Sequence, residues 1–97
     1  MITARTIIED SIDYIETKYP GLIRFVPDEY VLKSLELHVQ TKKFSTPLYL
    51  YGINFLLAFM EYCVEIEEYE ICSAILNAIN DHNSLIGDKL PTKLDNA

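Results

Sequence analysis

Two histidines, two cysteines and a run of carboxylates are the side chains in this sequence whose types could do chemistry. Glu61, Glu65, Glu67, Glu68, Glu70 and Asp81 fall between residues 61 and 81, a segment without Lys or Arg. Paired carboxylates work as acid and base when burial drives their pKa values apart. Acids packed this densely along a solvated surface are poorly placed for such tuning. His38 and His82 belong to no metal or triad motif, and Cys63, Cys72 and His82 match no zinc spacing. Gly21, Gly52 and Gly87 form no phosphate-cradling loop. The residues therefore predict no enzyme, no cofactor and no metal centre.

The acidic run has a plain reading, a solvated face that keeps the chain soluble. Its functional reading is a docking face for a protein partner with a basic surface. The candidate contact residues are Glu61, Tyr62, Glu65, Glu67, Glu68, Tyr69 and Glu70, with the two tyrosines as anchors among the acids. Aromatic side chains are enriched at protein interfaces, and complementary charge mainly raises the association rate. The charge is segregated: residues 18–43 hold Lys18, Arg24, Lys33, Lys42 and Lys43 against only Asp28, Glu29 and Glu36.

These side chains need a scaffold, and the totals limit it. Ninety-seven residues suit one domain, and 49% apolar with 24% charged residues is too apolar for intrinsic disorder. A net charge of −7 repels nucleic-acid phosphates and anionic membrane surfaces, so neither is expected as a direct partner. Two cysteines in apolar surroundings read as reduced, buried thiols of a cytoplasmic protein. The opening MITARTIIEDSID carries acids where a signal peptide would be apolar.

The segment Thr46–Ile66 organises the rest. From Pro47 to Met60 its polar side-chain groups are those of Asn54 and the phenols of Tyr49 and Tyr51. The apolar run stops at Glu61, too short for a membrane span of about 20 residues, so it reads as a central core helix. Around it the pattern predicts a helix over 3–19, with Ile8, Ile12, Ile15 and Tyr19 on one stripe and Thr6-Ile7-Ile8-Glu9 or Thr3 as its cap. A second helix is expected over about 27–42, burying Val31, Leu35 and Val39 with help from Tyr30 and Leu32. Leu35, Leu37 and Val39 also alternate with polar residues, so a short strand near 35–39 in an α+β fold is the alternative. Thr46-Pro47 starts the third helix, which is expected to run through Gly52 to about Ile66, with Gly52 marking a close crossing or a kink. A fourth follows from about Tyr69 to Asp81, burying Cys72, Ile75, Leu76 and Ile79. The predicted fold is all-α: a small four-helix bundle, one domain over 1–83, with a partly ordered tail over 84–97.

Residues 56–79 form a helical hairpin with an acidic turn. Glu68-Tyr69-Glu70-Ile71-Cys72 with Ile75 and Ile79 resembles the UVR hairpin of nucleotide-excision-repair proteins, although Leu76-Asn77 stands where that pattern carries an Arg-Asp pair. It looks equally like half of a tetratricopeptide repeat, with Tyr69-Glu70 and Cys72 at the aromatic and small packing positions. Both resemblances imply protein contact and not chemistry. The expected function is a small acidic protein-binding module, an adaptor, inhibitor or structural accessory, similar in kind to accessory proteins of phages and mobile elements. The alternative is an inhibitor whose spaced carboxylates imitate nucleic acid and occupy a DNA- or RNA-binding protein. A homodimer would cover part of the central helix, with Tyr49 and Tyr51 at its seam.

Overall fold

Helix signals in the chain decide where its apolar stripes can meet. The computed structural model describes residues 2–89, with side-chain surroundings for 2–83, and shows five helices: α1 (Ala4–Lys18), α2 (Glu29–Thr41), α3 (Ser45–Tyr51), α4 (Ile53–Glu65) and α5 (Tyr69–Lys89). The fold is all-α, and no strand occurs among the described residues. Thr3 caps α1 by accepting the Thr6 amide at 3.1 Å. Asp28 does the same for α2 at the Val31 amide, 3.0 Å away. Such caps satisfy amides that the first turn leaves without partners.

The strand alternative fails on burial. Leu35 and Val39 are buried at 2% and 4%, whereas Leu37 between them is 56% exposed. A strand would put all three on one face; a helix turns Leu37 away from the other two. Tyr30 also lies outside the core, at 84% exposure.

The central apolar segment is two helices and not one. Gly52 adopts φ 90° and ψ 159°, a conformation essentially reserved for glycine, and the chain turns there between α3 and α4. We call this junction the elbow. Phe25, from the loop between α1 and α2, packs on Tyr51 at 4.7 Å and on Phe55 at 5.1 Å between ring centroids, bracing the elbow from one side. Stacking continues along α4 from Phe55 to Phe59 at 6.1 Å.

α4 is the middle of the structure, packed against α1, α3 and α5, while α2 covers the other side of α1. The core gathers Ile8, Ile12 and Ile15 of α1, Leu35 and Val39, Phe44, Phe55, Leu56, Phe59 and Cys63 of α4, and Ile71, Cys72, Ile75 and Ile79 of α5. Leu76, expected inside, is 45% exposed. Ser11 is the one buried polar side chain among the described residues, and its hydroxyl donates to the Ile8 carbonyl of its own helix at 2.7 Å. The last helix continues past Asp81 through Gly87 to Lys89. A single glycine costs about 1 kcal/mol in a helix interior, and extending an existing helix still adds one bond per residue. Residues 90–97 of the expected tail lie outside the described residues.

Candidate functional site

The acids at the junction of α4 and α5 are positioned by a tight C-terminal turn. The Glu68 amide donates to the Cys63 carbonyl at 2.8 Å and the Glu67 amide to the Val64 carbonyl at 3.0 Å. This pair of bonds closes the helix end by letting the next residue turn left-handed. That residue is Glu67, at φ 63°. Glycine is the residue that takes this backbone without strain.

The seven residues expected to form one face fall into two groups. Glu61 and Tyr62 belong to the seam between α1 and α4. The phenols of Tyr14 and Tyr19 donate to the Glu61 carboxylate at 2.7 and 2.6 Å, and the Lys18 ammonium pairs with the same carboxylate. Together these bonds hold the Glu61 pKa down at about 2, the Lys18 hydrogen bond being the largest cause and the two phenols following. The Lys18 pKa is raised in turn, first by Glu61 and then by Tyr14. Tyr62 is half-buried, its ring tilted against Tyr14 at 5.3 Å. Neither residue is free to grip a partner without giving up internal contacts.

The remaining five stand at the turn. Glu65, Glu67 and Glu70 are exposed, Glu68 is half-buried, and Tyr69 is 59% exposed. Among the described residues Glu65, Glu67 and Glu68 take part in no ion pair. Glu70 reaches Lys42 at 3.7 Å, a solvated pair of little energetic weight. Val64, 48% exposed beside Glu65, joins this edge and was not singled out from the sequence. On a helix apolar nearly all round its type carries no direction, and only the rotation of α4 turns it out.

A second charged cluster fastens α1 to α2. Arg5 is ion-paired with Glu29, Glu36 at 3.6 Å and Glu9 at 3.4 Å. Its buried Nε faces Glu9 without hydrogen-bond geometry, so that contact is one of charge alone. These groups consume each other and leave no open catalytic pair.

The histidines and cysteines complete the candidate chemistry. His38 Nδ1 sits 3.0 Å from the Lys43 carbonyl oxygen, and His82 is exposed. Both cysteines are free and buried. Burial pushes the Cys63 thiol up to about 12 and raises that of Cys72, which disfavours the thiolate that nucleophilic attack needs. Among the described residues no group of three or more His, Cys, Asp or Glu is placed to hold a metal ion. Nor is any described helix long and apolar enough to cross a membrane. No family model, no curated protein and no solved structure matches the chain.

Proposed function

We propose that this chain is a protein-binding module that acts by contact and not by turnover. Its docking edge is the α4–α5 turn with Val64, Glu65, Glu67, Glu68, Tyr69 and Glu70. The partner presents a basic surface, with an apolar site for the Tyr69 ring. One observation carries the reading. Glu65 and Glu67 sit at the C-terminal end of α4, where the helix dipole favours cations, and Glu67 also takes a backbone conformation suited to glycine. Folding alone disfavours acids there. Residues that break local rules without compensation concentrate at functional sites.

The test is capture on immobilised full-length chain, followed by carboxyl-to-amine cross-linking to map the bound lysines. Wild type should retain a partner in excess nucleic acid and release it as salt rises. Tyr69→Ala should weaken that binding by about 2 kcal/mol, roughly 30-fold. An unchanged set of bound proteins with Tyr69→Ala and with Glu65→Gln/Glu67→Gln rejects the edge. Displacement by excess DNA or RNA would favour the nucleic-acid mimic instead.

A further inference from the structure

We propose that the elbow between α3 and α4 is an interface for a second copy of this chain. Tyr49 is 88% exposed, Leu50 57%, Ile53 38% and Leu57 42%. Ile53 makes them continuous. It lines a groove of ≈ 580 Å³ together with Leu50 and another of ≈ 470 Å³ together with Tyr49. Leu57 lies one helical turn further along the same face of α4.

Area and charge decide what covers this face. At roughly 200 Å² for a whole large side chain, the exposed parts of these four residues amount to about 450 Å² per copy. A standard interface takes about 800 Å² from each partner, an apolar core inside a polar rim. The four side chains are the right size for that core, and Ser45, Asn54 and Asn83 bordering the grooves are suited to the rim.

From Phe44 to Met60 the chain has no Asp, Glu, Lys, Arg or His. A basic partner gains nothing electrostatically on such a face. A copy carrying −7, by contrast, can approach another −7 chain best where each presents few acids. The rim also carries one charge of each sign, Arg24 at the first groove and Asp81 at the second. Ile53 opens α4 and Glu65 closes it, about 18 Å apart along the helix, while the nearest members of the two surfaces, Leu57 and Val64, stand about 10 Å apart.

The experiment is sedimentation equilibrium of the full chain from micromolar to sub-millimolar concentration, at low and at raised salt. A monomer–dimer equilibrium is expected, and it should tighten with salt as repulsion between the two copies is screened. Leu50→Asp should weaken it about tenfold or more with helical circular dichroism unchanged. Tyr49→Ser, at the most exposed of the four positions, is the second variant should Leu50→Asp unfold. A chain that stays monomeric throughout in both salts overturns the proposal, as does a dimer untouched by a folded elbow variant. A monomer whose elbow takes up a different protein overturns it too.

Discussion

The two ends of α4 solve opposite problems. At its start, around Gly52, an apolar and uncharged surface is left in water. At its finish, around Glu67, carboxylates are placed where neither the helix dipole nor the backbone favours them. The first surface gains from being covered by anything apolar. The second gains only from a cation. If both proposals hold, the two surfaces of this one helix should respond to salt with opposite sign: association at the elbow should strengthen as charge is screened, and association at the acidic edge should weaken. What is shared between them is the core side of α4, where Phe55, Leu56, Phe59 and Cys63 are buried at 2% or less.

The largest change comes from removing that shared support. Phe59→Ala should cost about 3–5 kcal/mol in urea unfolding and disturb both ends together; loss at one end alone would mean that they are not built on a common helix. Gly52→Ala should separate them. The added Cβ meets no neighbouring atom, so the whole effect is backbone strain at φ +90°. We expect a loss of about 1–3 kcal/mol, with altered association at the elbow and unaltered binding at the acidic edge.

Glu67→Gly should do the reverse. Relieving the left-handed position, worth about 1–2 kcal/mol, should outweigh the roughly 0.4–1 kcal/mol of unfolded-chain entropy that a glycine adds, so stability by the same urea titration should rise while partner binding at the edge falls. A variant that is less stable than wild type would show that Glu67 is there for the fold.

Acid gives the smallest and most local effect. Glu61 has its pKa lowered, so its bonds to Lys18, Tyr14 and Tyr19 contribute stability above the ordinary carboxylate value of 4.5 and lose it as pH falls toward about 2. The Lys18 pKa is raised, so its contribution holds below 10.5 and fades at higher pH. Thermal midpoints of wild type and Glu61→Gln should therefore differ at neutral pH and converge below pH 4.5. A constant gap down to pH 2 would remove the carboxylate from the seam between α1 and α4.

Local pattern made some of this readable in advance. The stripe of Ile8, Ile12 and Ile15, the buried pair Leu35 and Val39, and the turn before Tyr69 all follow from spacing between near neighbours in sequence. Gly52 was visible as a weak point, but a glycine tolerated within a helix and one that breaks it look alike until ψ is known. The extension of α5 past Asp81 was hidden for a related reason: Gly87, Pro91 and the scattered charges after Asn83 read as a tail when the helix already formed before them is ignored. Least legible was Glu61. Its neighbours in sequence are the acids of the edge, whereas its partners Tyr14, Lys18 and Tyr19 come from α1, and only the packing of α1 on α4 brings them together. Val64 was missed because apolar character says nothing of direction on a helix that is apolar nearly all round.

The hydroxyl of Ser11, the one fully buried polar side chain among the described residues, is spent within its own helix and does not tie α1 to its neighbours. Fitted hydrocarbon shapes hold the middle of α1, and its two bolts are outside: Arg5 near the first turn, driven into α2, and Lys18 at the last, driven into α4. Slackening one bolt should let α1 peel from that extremity while the other stays seated. Amide protection would then decay as a gradient along the helix instead of vanishing at once.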